Sequence, residues 1–301
     1  VKTILITGAG GYFGSVACRF FTQRGWRVLK GSRKPGADLA VDLDQPEKLA
    51  SARLPGPIDV MLHAAAAHEV TCARNPAEAT VHNVAGTVAA LEFAAAMHIP
   101  RFVYLSTFRV FGRPRGVLDE GSPPCPVDAY GLTHWQAEET VALYTRLSRL
   151  SGFSVRPTNF YGAPETLEGF GRWTLVTFGF IREAFETGRI TLRTPGLQVR
   201  NFVSVERVCE GICNNLSREE PVPLLHIPGA RAMSVLDWAK LVASEIRRNF
   251  GHYVQVNCPE GNNSEPFFEP ATRHAELLSE TEQPLSEFIV RMWRLLEGGE
   301  R

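Results

Sequence analysis

No sign of charge dominates this chain: 32 Lys and Arg stand against 32 Asp and Glu in 301 residues, for a formal net charge of zero. A nucleic-acid footprint needs clustered basic excess, and none is present. An anionic small molecule stays possible as a substrate, because local charge matters more than the sum. The six cysteines, Cys18, Cys72, Cys125, Cys209, Cys213 and Cys258, are scattered without a Cys-x-x-Cys pair. They imply neither a disulfide framework nor a zinc site. Cys209 and Cys213 read as small core residues. No apolar stretch is long enough to cross a bilayer. The first residues run straight into a strand-like Thr3–Thr7 with no signal-peptide pattern. Repeats, low-complexity tracts and flexible linkers are also missing. A soluble protein of a reducing, cytoplasmic compartment is expected, with no metal and no membrane or nucleic-acid partner.

What is present is ordinary globular composition, 44% hydrophobic and 21% charged, enough for one large domain or two. The apolar run Ile4-Leu5-Ile6 leads into Gly8-Ala9-Gly10-Gly11-Tyr12-Phe13-Gly14, and Val16, Phe20 and Phe21 follow at roughly helical spacing. This is strand, glycine-rich turn, helix. Glycines let the backbone turn tightly and let a pyrophosphate approach the helix N-terminus, where free N–H groups favour an anion. Taken alone, the same pattern would also serve a tight turn that binds nothing.

The spacing Gly8-x-x-Gly11-x-x-Gly14 after Thr7 resembles the extended short-chain dehydrogenase family, the nucleotide-sugar epimerases, dehydratases and reductases. The resemblance continues in order. Asp42 and Leu43 match the position that contacts adenine. Asp59-Val60-Met61-Leu62-His63-Ala64-Ala65-Ala66 is similar to the family strand that lines the cofactor, with Ala64, Ala65 and Ala66 at its end. Asn83-Val84-Ala85-Gly86-Thr87 resembles a family helix that also borders the cofactor. His63 and His68 read as packed or surface histidines. The family implies a cofactor, NAD or NADP. At the end of the second strand an acidic residue would hold the ribose hydroxyls of NAD. Here stand Ser32, Arg33 and Lys34, a hydroxyl and two cations suited to a 2′-phosphate. NADP is expected, with NAD as the alternative.

Ser106 and Thr107 close an apolar strand, and Val110-Phe111-Gly112 follows. By resemblance Thr107 takes the catalytic Ser/Thr position, with Ser106 beside it and Phe108 at the substrate. No Asp-Glu pair follows Thr107, which argues against dehydration. Tyr130 is followed four residues later by His134, where the family has Tyr-x-x-x-Lys. One helical turn puts both side chains on one face. Tyr130 is expected to deliver a proton to the substrate oxygen. Three readings of His134 stay open: it substitutes for the lysine, holding the nicotinamide ribose and, as an imidazole, changing charge near neutral pH; water and other groups compensate; or the protein binds nucleotide without fast turnover.

In the second half, Arg156-Pro157-Thr158-Asn159-Phe160-Tyr161-Gly162 resembles the family strand that turns toward the substrate, with Asn159 facing a sugar or phosphate oxygen. Gly196-Leu197-Gln198-Val199-Arg200-Asn201-Phe202 resembles the segment whose arginine binds a substrate diphosphate, which assigns that role to Arg200. Asn201, Ser204 and Arg207 depart from the family's Asp, His and Asp. Ser234 reads as a helix N-cap, 258–270 as a polar surface loop, and 285–296 as an amphipathic closing helix.

The expected fold is a doubly wound α/β domain with a Rossmann-type parallel sheet and a smaller C-terminal substrate lobe. The lobes interleave, with an approximate division into 1–160 and 161–301. The expected function is NADPH-dependent reduction of a keto group on a nucleotide-activated deoxysugar, by a homodimer. The rivals are an epimerase with tightly held NAD and a non-catalytic dinucleotide-binding protein.

Overall fold

A computed structural model describes residues 1–262 and 267–298. The N-terminal half alternates strand and helix. β1 (Thr3–Thr7) leads to α1 (Tyr12–Gln23), then β2 (Arg27–Ser32), the short β3 (Leu39–Ala40) and α2 (Pro46–Ser51). β4 (Val60–His63) is followed by α3 (Glu69–Arg74), α4 (Pro76–Thr80), a π-helical turn at Val81–Ala85 and α5 (Gly86–Ala96). β5 (Arg101–Leu105) gives way to a 3₁₀ turn (Phe108–Phe111), β6 (Gly116–Leu118), α6 (Ala129–Arg146) and β7 (Ser151–Pro157).

The second half adds β8 (Asn159–Tyr161), α7 (Val176–Thr187), β9 (Arg189–Thr191), β10 (Val199–Ser204) and α8 (Val205–Leu216). Then come β11 (Leu224–Ile227), β12 (Arg231–Ser234), α9 (Val235–Phe250), β13 (Gln255–Asn257), β14 (Phe268–Pro270) and α10 (Leu285–Gly298). Ser234 caps α9 by accepting from the Asp237 N–H at 3.0 Å. The closing helix forms as its pattern predicts. The proposed loop at 258–270 does not stay a loop throughout. Residues 263–266 lie outside the described residues, and Phe268–Pro270 pairs in parallel with β6, so backbone bonding overrides the polar, proline-bearing sequence.

Seven strands form one parallel sheet in the order β11-β7-β5-β4-β1-β2-β3. The chain winds outward from β1 to β3, then returns to β4. The reversal opens a crevice beyond the strand ends, between β1 and β4, the usual binding place in such sheets. Strand residues alternate between two cores. Ile4, Ile6, Leu62 and Val103 face one side, and Leu5, Met61, Phe102 and Tyr104 the other. The second side is covered by small and apolar residues of α5 and α6, including Ala90, Phe93, Ala137 and Val141.

The first core runs without a break into the second lobe, through Phe178, Trp238, Phe288 and Trp293. The Trp238 indole donates to the Val176 carbonyl at 2.9 Å. β11 returns to the main sheet beside β7, so residues from both sides of position 160 share it. A smaller sheet, β12-β10-β8, contributes Asn159, Phe160, Arg200 and Asn201 to the lining of the crevice. Among the described residues no helix is long and apolar enough to cross a membrane.

Candidate functional site

A cleft of about 1300 Å³ occupies the crevice. Its floor is the glycine turn. Gly8 has φ +71°, and a Cβ there would sit 2.7 Å from the Ala64 carbonyl oxygen. A Cβ on Gly14 would lie 2.2 Å from the Gly8 oxygen. Both positions therefore need glycine. Gly11 precedes the first turn of α1, which carries no acidic side chain. That leaves an N-terminus fit for a phosphate. Tyr12 and Phe13 line the cleft. Tyr12 packs edge-on to Phe178 at 5.0 Å, and Phe13 meets Phe160 at 5.3 Å.

Ala64, Ala65 and Ala66 form the opposite wall. The Thr7 hydroxyl oxygen accepts from the N–H of Ala64 at 3.2 Å and of Ala65 at 3.3 Å. With both lone pairs engaged, the Thr7 proton goes to His63 Nδ1, 2.7 Å away, and His63 carries its own proton on Nε2. Burial, then the neighbouring His134, pulls the His63 pKa down to about 3. His68 caps α3 at the surface.

Two expected cofactor contacts do not reach the cleft. Asn83 is buried behind the alanine wall. Its Oδ1 accepts from the Ala67 N–H at 2.7 Å, and its Nδ2 donates to Thr133 at 2.9 Å, so it holds the wall in place. Asp42 turns its carboxylate to the Asp44 N–H at 3.2 Å, while Leu43 beside it lines the cleft. Ser32, Arg33 and Lys34 line the cleft at the end of β2 as expected. Facing them, Asp44, Glu78 and His82 bring their ligand atoms within 4.8 Å of one another, a spacing that could hold a metal. His82 is hydrogen-bonded to Asp44 at 2.6 Å, Arg33 stands 3.9 Å from the same carboxylate, and Glu78 accepts from Asn75 at 3.1 Å, so each member already has a protein partner.

Thr107, Tyr130 and His134 do converge, at the far end of the cleft. Thr107 lies two residues beyond β5 and caps the 3₁₀ turn through the Arg109 N–H at 3.2 Å. Tyr130 stands in the first turn of α6, whose N-cap Asp128 accepts from the Gly131 N–H at 2.8 Å. Desolvation raises the Tyr130 phenol above its ordinary pKa. Arg172 and Arg109 oppose the rise, as does hydrogen bonding to Thr107, and Glu69 adds to it. The ring of His134 meets that of Tyr130 edge-on at 4.6 Å.

The expectation that His134 titrates near neutrality is overturned. The side chain is 3% exposed, and burial pulls its pKa down from 6.5 to about 4. It is a neutral imidazole at physiological pH. Its Nδ1 is bonded to the Tyr104 hydroxyl at 2.7 Å. Its Nε2 is buried without a protein partner, in a side chain that borders the cleft. Ser106 also borders the cleft, but its hydroxyl donates to Glu138, which forms a buried ion pair with Arg156 at 2.5 Å.

The substrate positions lie on the same cleft. Phe108 packs against Phe111 at 4.8 Å and His226 at 5.3 Å. Asn159 donates to the Asn201 carbonyl at 2.9 Å, and Arg200 to the Val199 carbonyl at 2.8 Å. The departures at 201, 204 and 207 have structural uses. Asn201 binds Thr158 at 2.6 Å and the Gly229 N–H at 2.8 Å. Ser204 caps α8, and Arg207 donates to the Pro228 and Ser279 carbonyls. Sequence reasoning missed three more arginines of the cleft, Arg113, Arg115 and Arg172. Only clustering in space marks them.

Residues 4–223 match the model of the "NAD dependent epimerase/dehydratase family". The chain is 30% identical over 184 residues to a UDP-glucose 4-epimerase of Rhizobium leguminosarum bv. trifolii, covering 57% of this chain and 56% of that one. Among solved structures, RMD from Pseudomonas aeruginosa complexed with NADPH superposes with a TM-score of 0.81 at 17% identity, over 99% of this chain and 100% of that one. MoeE5 in complex with UDP-glucose and NAD gives 0.79 at 22% identity, over 100% of both chains. Those two likenesses speak for the fold.

Proposed function

The chain belongs to the NAD dependent epimerase/dehydratase family, and within it we propose an NADPH-dependent reductase that acts on the keto group of a nucleotide-activated deoxysugar. The observation that carries this reading is the protonation of the pair at the head of α6. Tyr130 is a protonated phenol at neutral pH, burial raises its pKa further, and the neutral His134 brings no charge to offset that. The proton that reduction requires is in place, at the cost of a less acidic donor, while the phenolate that epimerisation requires is disfavoured. Reduction needs the acid first, whereas epimerisation begins by removing a proton. NADPH, when bound, supplies the hydride. Tyr130 gives its proton to the carbonyl oxygen, which Thr107 helps to hold.

The cradle fits the cofactor. Gly8 and Gly14 leave backbone space for a pyrophosphate, and the unpartnered Nε2 of His134 suits a ribose hydroxyl. Ser32, Arg33 and Lys34 suit a 2′-phosphate. Arg200 in the lining of the cleft suits a diphosphate. Val81, Val88, Leu132 and Leu143 are exposed along the α5 and α6 side, which supports a homodimer through those helices.

One observation favours a second reading. The carboxylates of Asp44 and Glu78 border the cleft near Arg33, where they could accept ribose hydroxyls of NAD, as an NAD-retaining epimerase would require. The two separate cleanly. Purified protein given NADPH and a panel of nucleoside-diphosphate keto-deoxysugars should consume the reduced nicotinamide. Copurified NAD, with interconversion of sugar epimers and no net NADPH consumption, would replace this reading with the second.

A further inference from the structure

With a neutral imidazole at 134, a negative phenolate at Tyr130 has no cation one turn along its own helix. A cation stands on another side. The Arg109 guanidinium carbon lies 5.3 Å from the centroid of the Tyr130 ring. Two features fix it there. Its Nη2 pairs with Asp128, the residue that also caps α6. Its backbone is pressed against the start of the helix, since a Cβ on Gly131 would fall 2.6 Å from the Arg109 carbonyl oxygen. Glycine at 131 is what lets the 3₁₀ turn approach so closely.

We propose that Arg109 is the positioning cation of the site: held by Asp128 over the Tyr130 ring, it does for the phenolate what a lysine at 134 would do. The inference rests on Tyr130 being the proton donor proposed above. A guanidinium keeps its charge at every working pH, and its attraction for the ring grows as the ring becomes negative. Arg172 also bears on the phenol and is paired with Glu69 at 3.6 Å, as Arg109 is with Asp128, but Arg109 is the cation seated over the Tyr130 ring. Thr107 and His134 are neutral, and Tyr104 lies behind the imidazole with its own proton retained by burial. Of the nearby charges, Arg172 and Arg109 both favour the ionised phenol, in keeping with this role.

The test is a titration of Tyr130 itself, without substrate or cofactor, so it fails or succeeds independently of the reductase reading. Fluorotyrosine labelling gives six resonances to follow by ¹⁹F NMR, and lowers the phenol pKa values into an accessible range. Tyr130 is assigned by its loss in Tyr130→Phe. Arg109→Gln should raise the Tyr130 midpoint by about half a unit to one unit, roughly three- to tenfold less phenolate at a given pH. Arg109→Lys should restore most of the shift. An unchanged midpoint in Arg109→Gln overturns the proposal, and so does a lysine variant that titrates like the glutamine one. If Arg109→Gln does not fold, Arg109→Met is read in its place: a raised midpoint supports Arg109 and an unmoved one rejects it.

Discussion

The two ends of the cleft are built by different means. At the glycine turn the site is made of backbone: Gly8 and Gly14 are fixed by approaches of 2.7 and 2.2 Å that any side chain would block. At the head of α6 it is made of side chains, Tyr130, His134 and Arg109, whose charges depend on burial and on one another. The first kind of site tolerates little change in residue type. On the reading proposed above, the second can lose the lysine of Tyr-x-x-x-Lys and still be assembled, because a cation and a hydrogen-bonding group can arrive from different elements.

The contrast is broken most severely at Tyr130. Tyr130→Phe should lower turnover at least about a thousandfold, a barrier increase of about 4 kcal/mol, with NADPH binding preserved. Steady-state rates beside a binding titration check both halves. Gly14→Ala should do the converse. It should weaken NADPH binding by more than about a hundredfold, about 2.7 kcal/mol, because the added methyl forces the turn away from the helix start. Fluorescence titration with NADPH measures it.

Burial of histidine sharpens the comparison next. His63, His134 and His226 have pKa values pulled from 6.5 to about 3, 4 and 4. The unfolded chain therefore takes up protons below 6.5 that the folded chain refuses. Stability is fully present above that value and falls as pH drops toward 4, where the folded groups begin to titrate. Between about pH 7 and pH 5 the loss should be on the order of 2 kcal/mol for each histidine, read as a falling denaturation midpoint. The smallest effect belongs to the basic edge. Arg33→Ala should reduce the preference for NADPH over NADH by roughly tenfold, about 1.4 kcal/mol, in parallel titrations with both cofactors.

The glycine turn, the parallel sheet and the meeting of Thr107 with Tyr130 were legible in the chain, because close backbone approach and element order restrict residue types. Polar side chains were less legible. Asn83 and Asp42 sit at family positions, yet one braces a wall and the other a turn, since their partners are set by neighbours distant in sequence or by local backbone geometry. The neutrality of His134 follows from the packing of α6 on β5, which no local pattern records. Arg172 lies in an irregular stretch between β8 and α7, where periodicity offers no guide. β14 was hidden in a polar segment because its strand character comes from its partner, β6.

The central claim is that Tyr130 acts as a protonated acid beside a neutral His134. It is tested most directly by the pH dependence of NADPH oxidation with a keto-deoxysugar substrate. The account predicts a rate that is flat from about pH 5.5 to 8, because neither group titrates there. A limb with its midpoint near neutrality that disappears in His134→Gln would contradict it.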